Sequence, residues 1–452
     1  MNSKLKFFAF VVVLGLAGRS DISCAQTTLD NYVKEGLENN ESIRQQNFLL
    51  EKSIYMLKEA KSLFGPTVDL SSSYTRADGG RSIEFPAADL LNQAYSTLNK
   101  LTNSSSFKPL QNQNIELFAN NFYDAHFHTS LPLLDAELIY NKRIRGQQTN
   151  LQKAEVLLYK RELVQHIKTA YYQYAQAVNA EKIYETSLKL VNENKRINQA
   201  LFDNQQANRT AVIRSENEVS KYQANLVSAE QTRLTAKAYF NFLINKAATD
   251  TVVVDSIYQL PANEVLSDTT VSRREELAKL KLSQEINDNN IALAKAYLVP
   301  KIKTFIDLGA QDYAFHWTDN TKYYYFGISL DWNLFASGKN TYRKKEVFAE
   351  RQSIAAQTDY AVLQLKTQLI SARNAFLSAA AQYKAAQSQL HASDTYFRDE
   401  LRLYKEGKVI YIELLDAQNQ LINARLESSN TLFDTWIKYA DIERANASFN
   451  LQ

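Results

Sequence analysis

The sequence predicts a mainly α-helical protein with a minor β component, built from one pattern used twice. Three observations carry this reading. First, residues 292–308 repeat the layout of residues 58–74: a charged, alanine-bearing helical stretch stops at a proline (Pro66 or Pro300) and turns into an alternating strand. Second, the prolines stand at 66, 86, 109, 132, 261 and 300, and no glycine occurs between Gly146 and Gly309 or, after Gly338, anywhere but Gly407. Long spans without the main helix breakers predict helices of unusual length. Third, Leu365, Leu369, Ala372, Phe376, Ala379, Tyr383, Ala386, Leu390, Ser393 and Phe397 step by three and four without a break, as do Leu163, Ile167, Ala170, Tyr174 and Ala177. That is the seam of a left-handed coiled coil.

The elements follow in order. Lys4 and Lys6, the apolar run 7–17 and the small residues Ser23, Cys24 and Ala25 read as a signal peptide over 1–25, cut before Gln26. Lipidation of Cys24 is disfavoured by Asp21, three residues before it. Cys24 is the only cysteine, so the mature chain has no disulfide or thiolate metal site. The first repeat, 26–247, has strands at about 66–76 and 121–132 and helices at about 139–205 and 210–246. A helix over 139–205 is roughly 100 Å long at 1.5 Å per residue, which suits a bundle or a tube wall. A linker, 248–274, carries the β-prone stretch 251–254. The second repeat, 275–452, has strands at about 300–312 and 322–333 and helices at about 339–405 and 409–450.

Each strand is apolar on one side and polar on the other. Val68, Leu70 and Tyr74 oppose Asp69, Ser71 and Ser73; Phe127 and Leu131 oppose His126 and His128; Ile306 and Leu308 oppose Asp307, with Phe305 an exception; Phe326, Ile328 and Leu330 oppose Gly327 and Ser329. Water-soluble antiparallel sheets alternate in the same way. The signal peptide and the aromatic strand ends (Tyr74, Phe122, Tyr123, Trp332) favour a transmembrane barrel. Four strands do not close a barrel, so a membrane-spanning chain must self-associate.

Charge excludes other classes. Removing Lys4, Lys6, Arg19 and Asp21 from 52 basic and 49 acidic residues leaves 49 and 48, net +1, with no basic field for nucleic acid. No segment after the signal peptide approaches a transmembrane helix. There is no phosphate loop, His-Glu-x-x-His or Gly-x-Ser-x-Gly, so no enzyme and no cofactor is expected. His126 and His128 share a strand face and read as polar lumen-facing side chains more readily than as metal ligands.

The order helix, Pro-strand, loop, strand, long helix, helix, twice over, resembles the outer-membrane efflux protein family (TolC-like). Residues 131–135 (Leu-Pro-Leu-Leu-Asp) resemble its strand-to-helix corner, with 332–338 the counterpart, and 404–418 resemble its helical-hairpin tip. Pro66, Pro132, Pro300 and Gly338 are the expected strand–helix corners. The resemblance implies a homotrimer with one 12-strand barrel among outer-membrane lipid and a long antiparallel coiled-coil helical tube in the periplasm. It implies an exit duct for efflux or type I secretion, working with a periplasmic adaptor and an inner-membrane pump. The alternative reading is a periplasmic coiled-coil scaffold or adhesin with soluble β-caps.

The resemblance also implies roles at the tips. Glu413 and Asp416, with Tyr404, are expected to line the periplasmic aperture, where a carboxylate ring favours cations. Gly407, Lys408, Leu414 and Leu415, with Gln205 and Asn208 in the first hairpin, are expected to contact the adaptor. Each acid taken alone also fits a helix start, where it complements the dipole. Val409 stands where the family often has a latching arginine, and Tyr404 is the expected donor instead. In the first hairpin Gln205 replaces glycine, and Asn208 is expected to take up the turn geometry. The insertion 76–120, with a small amphipathic piece near 89–101, is expected on the outer face, as a lid or a passive loop.

Overall fold

The computed structural model describes residues 28–118, 120–255, 260–261, 271–449 and 451. The expected signal peptide, Cys24 and much of the expected linker lie outside them. The helices are α1 (Thr28–Asn39), α2 (Glu41–Ser62), α3 (Ala87–Leu101), α4 (Ala136–Asp203), α5 (Arg209–Leu243), α6 (Glu275–Ala294), α7 (Lys339–Lys405) and α8 (Tyr411–Asn446). The strands are β1 (Thr67–Thr75), β2 (Ser82–Phe85), β3 (Gln113–Glu116), β4 (Phe122–Leu134), β5 (Lys301–Tyr313) and β6 (Lys322–Asp331). The chain divides into two compact units, one of residues 1–53, 148–284 and 352–452, the other of 54–147 and 285–351.

The second unit holds a four-stranded antiparallel sheet in the order β1-β4-β5-β6. Directly paired residues share a face of such a sheet. One face therefore carries the row Leu70–Phe127–Leu308–Tyr324 and, beside it, Val68–Thr129–Ile306–Phe326. This apolar face is open: Leu70 is 67% exposed, Phe127 53%, Leu308 51% and Tyr324 79%. The opposite face carries Asp69–His128–Asp307–Tyr325 and Ser71–His126–Gly309–Tyr323. There His128 Nδ1 lies 2.5 Å from Asp307 Oδ1 and His126 Nδ1 3.2 Å from Asp124 Oδ1, which also accepts from the Tyr323 hydroxyl at 2.8 Å. Each histidine thus has a carboxylate partner, and among the described residues no cluster of three metal-binding side chains forms. Phe305, out of pattern, lies on this polar face across Gly327, whose missing Cβ makes room for its ring.

The corners differ in detail. Pro66 and Pro300 directly precede β1 and β5. Pro132 does not end its strand: β4 continues to Leu134 through an irregularity between 132 and 134. The turn into α4 is made instead by Asp135, whose carboxylate accepts from the Glu137 amide at 2.8 Å. Gly338 has φ +82, and a Cβ there would lie 3.3 Å from Tyr342. The insertion holds α3 and also a β2–β3 ladder that the amphipathic reading had not foreseen.

In the first unit the seam residues Leu163, Ile167, Ala170 and Tyr174 of α4 and Leu365, Leu369, Phe376, Ala379 and Tyr383 of α7 are buried, as their spacing predicts. Ile167, Tyr171, Phe240, Ile244 and Val33 build the largest core cluster. Gly36 of α1 lets the Ile167 side chain pack close, since a Cβ would meet Ile167 Cδ1 at 2.4 Å and push it aside. The expected β-prone stretch 251–254 forms no strand. The Val253 amide donates to the Tyr32 hydroxyl and that of Asp255 to the Tyr171 hydroxyl, so side chains satisfy this backbone.

A second apolar line on α7 stays uncovered: Leu363, Ile370 and Leu377, seven residues apart, are each more than half exposed. A polar clamp ties α4, α6 and α8 together. Arg444 reaches Glu276 at 2.7 Å and Arg274 reaches it at 2.6 Å, while Arg161 reaches Glu275 at 2.6 Å and the Phe449 carbonyl at 2.8 Å. Burial pushes the Glu276 carboxyl up, but the Arg274 hydrogen bond and the Arg444 charge outweigh it and hold it at about 2. Among the described residues no helix is long and apolar enough to cross a membrane.

Candidate functional site: the paired hairpin tips

Both long-helix pairs turn through the same backbone device. In the α7–α8 turn, Gly407 has φ +71, its amide donates to the Tyr404 carbonyl at 3.0 Å and the Lys408 amide to the Leu403 carbonyl at 2.9 Å. In the α4–α5 turn, Gln205 has φ +60, its amide donates to the Phe202 carbonyl at 2.9 Å and the Gln206 amide to the Leu201 carbonyl at 2.7 Å. Both are Schellman closures. Gln205 therefore takes the left-handed conformation itself. Asn208, expected to do so, sits at the extended N-cap of α5 with φ −83. The reason is positional: the residue two past the helix end must turn left-handed, whatever its side chain.

Behind the turns, Phe397, Tyr404, Tyr411, Leu414, Ala417 and Leu421 pack with Ile197 and Ala211. Tyr404 is thus buried, and its hydroxyl donates to Asn198 Oδ1 at 2.5 Å. It joins the two hairpins within the chain. Two further polar bridges lie nearby: Asn194 Nδ2 to Gln418 Oε1 at 2.5 Å and the Tyr222 hydroxyl to Asn419 Oδ1 at 3.0 Å. Burial raises the pKa of Tyr404; burial and the Glu218 charge push Tyr411 up to about 12, against a hydrogen bond with Asn198.

Leu414, expected to contact a partner, is fully buried. It lies three residues after Tyr411 and three before Ala417, on the inward stripe of α8. Leu415 is half-buried against the same cluster. Gly407, Lys408, Gln205 and Asn208 are exposed, and Lys408 pairs with Glu406 at 2.7 Å.

Glu413 and Asp416 are exposed on the opposite stripe. Burial raises the pKa of Tyr396, and the charges of Glu400, Asp416 and Glu413 raise it further. All three carboxylate charges act on the same phenol. Glu400, on α7, was not singled out from sequence, because nothing in its own helix marks it. Asn194 and Asn198 were missed although a signal exists. Continuing the α4 seam through Ala180, Tyr184, Ser187 and Val191, with the step of three repeated once after Ala177, lands on both, and they are 2% and 0% exposed.

A mainly helical chain that pairs two long hairpins and carries an antiparallel sheet with an open apolar face has a TolC-like channel fold. Solved structures share it. The outer-membrane channel OprN aligns with a TM-score of 0.74 at 17% identity, covering 93% of this chain and 90% of its own. VceC of Vibrio cholerae aligns at 0.74 and 13%, covering 92% and 95%. The open state of the Neisseria gonorrhoeae channel MtrE aligns at 0.72 and 18%, covering 93% and 88%. Identities this low speak for the fold. By sequence, residues 266–445 match the family described as outer membrane efflux protein, which bears out the resemblance read above. No curated protein sequence matches the chain.

Proposed function

We propose that the protein is the outer-membrane channel of an efflux or type I secretion system, a passive exit duct. The observation that carries this is the sheet. Its apolar face is exposed along whole rows, and among the described residues β1 and β6 each have one unpaired edge. In lipid every backbone group needs a partner, so such a sheet is stable only when copies close it. Three copies of four strands make a 12-strand barrel, within the range of bacterial barrels. The uncovered apolar line at Leu363, Ile370 and Leu377 supports the same association along the helices.

In the trimer the strands lie in the outer membrane and the helices in the periplasm. The near-equal lengths of α4 and α7 (68 and 67 residues) and of α5 and α8 (35 and 36) support an internal duplication. Glu413 and Asp416, now with Glu400, line the aperture. The exposed tips, Gly407 and Lys408 with Gln205 and Asn208, meet a periplasmic adaptor that joins the duct to an inner-membrane pump.

The test is the detergent-corrected mass of protein extracted from the outer-membrane fraction. About three times the mature chain is expected from the strand count. A soluble periplasmic monomer or dimer overturns the channel and leaves the coiled-coil scaffold.

A further inference from the structure

The insertion between β1 and β4 is a folded piece with its polarity turned inside out. Helix α3 has three faces. One is taken by the segment after it: Asn92 exchanges hydrogen bonds with the Leu110 backbone at 2.7 and 2.9 Å, and Asn99 does the same with Phe107 at 2.7 and 3.0 Å. These asparagines lie two turns apart and strap residues 107–110 along the helix. A second face, Asp89, Gln93, Ser96 and Lys100, is exposed and polar. The third, Leu90, Leu91, Ala94, Leu98 and Leu101, is apolar and equally exposed, and α3 buries no residue at all. Leu101 is 78% and Leu90 65% exposed.

That face is made to be covered. Ala87, Leu91, Ala94, Leu98 and Leu101 step by four and three, the spacing of a helix–helix seam. Its centre is alanine, which lets a second helix approach closely. The insertion 76–120 has four basic residues (Arg76, Arg81, Lys100, Lys108) and four acidic ones (Asp78, Glu84, Asp89, Glu116), so it has no net attraction to a charged lipid surface. It also leaves the sheet from β1, an edge strand, and edge strands are where copies must meet if the barrel closes.

We propose that α3 packs against the α3 helices of neighbouring copies of this chain, gathering the three insertions into one helical cap at the mouth of the barrel. This rests on the trimeric channel reading above. Polar contacts are spent within each insertion on the asparagine strap, and the leucine–alanine seam is left for the other copies. The insertion is then a subunit interface, neither a passive loop nor a lipid anchor.

The mature chain lacks cysteine, so single-cysteine variants report the seam. Ala94→Cys places a thiol at its centre and Ser96→Cys one on the polar face of the same helix, both at exposed sites that leave the fold intact. Each full-length variant, extracted as a trimer, is treated with a short bis-maleimide. The expected result is a shift from the one-chain to the two-chain band in denaturing gels for Ala94→Cys and none for Ser96→Cys. Trimers in which neither or both crosslink overturn the cap and leave the channel standing. Quenching by brominated lipid of a dye attached to the Ala94→Cys variant, without crosslinking, overturns it in favour of lipid. A monomeric extract overturns the channel reading and the cap with it.

Discussion

Removing the Tyr404 hydroxyl should loosen the two hairpin tips from each other. Tyr404→Phe keeps the ring in its cluster but leaves Asn198 Oδ1, on a residue 0% exposed, without its 2.5 Å donor. An unsatisfied buried acceptor costs about 1–3 kcal/mol. Asn198 also binds Tyr411 and the Ala211 carbonyl, so it cannot simply turn to water. A cost near 2 kcal/mol raises the population of locally open tips roughly 30-fold. Large proteins often unfold irreversibly, so the readout is local: amide hydrogen exchange at residues 195–205 and 400–412 in the purified full-length protein. Protection should fall there and stay unchanged in the Ile167–Phe240 core. Asn198→Ala should fall further, because it also opens a void and strands the hydroxyl. The double variant should fall short of the sum of the two by about 1–2 kcal/mol, the coupling of groups that touch. Additive losses, or unchanged protection in Tyr404→Phe, would refute the bridge as the link between hairpins.

Three other outcomes follow from the same geometry. Gly407→Ala meets nothing within 4 Å, so it should cost only the backbone penalty of a left-handed residue, about 1 kcal/mol, whereas Gln205→Gly should relieve a comparable strain; exchange at the two turns should move in opposite directions, and equal signs would sink the shared closure. Glu413→Gln with Asp416→Asn should lower cation selectivity in planar bilayers, and Glu400→Gln should lower it further; an unchanged reversal potential removes all three from the aperture. Glu276 has a folded value of about 2, below its ordinary 4.5, so the clamp's contribution is present above pH 4.5 and is lost as pH falls toward 2. The full effect is on the order of 3 kcal/mol, and Glu276→Gln should abolish the acid-induced rise in exchange around residues 274–278 and 441–446.

Much of the architecture was legible because its signals are local. Helix length follows from the absence of proline and glycine, and the buried seams at Leu163–Ala170 and Leu365–Ala379 follow from a step of three and four. Strand polarity follows from a period of two, which the ladder through Leu70, Phe127, Leu308 and Tyr324 turns into one apolar face. Where a local rule was applied to the wrong residue, it failed. Pro132 remains inside β4, since the turn belongs to Asp135, and the left-handed turn belongs to Gln205 rather than to Asn208. The insertion's strap was hidden because Asn92 and Asn99 look like ordinary loop-formers until their backbone partners are seen.

The sequence by itself determined the periods: which residues of each helix and strand face one way, and how long each element runs. Those depend only on the backbone geometry of 3.6 and 2 residues per turn, which every residue carries with it. Only the tertiary structure decided what each face meets. Tyr404 and Leu414 fell inward, Asn194 met Gln418 and Asn198 met Tyr404 across two helices, and the leucines of α3 were left outside. Such meetings are made by residues far apart in the chain, brought together by packing, and no local period records them.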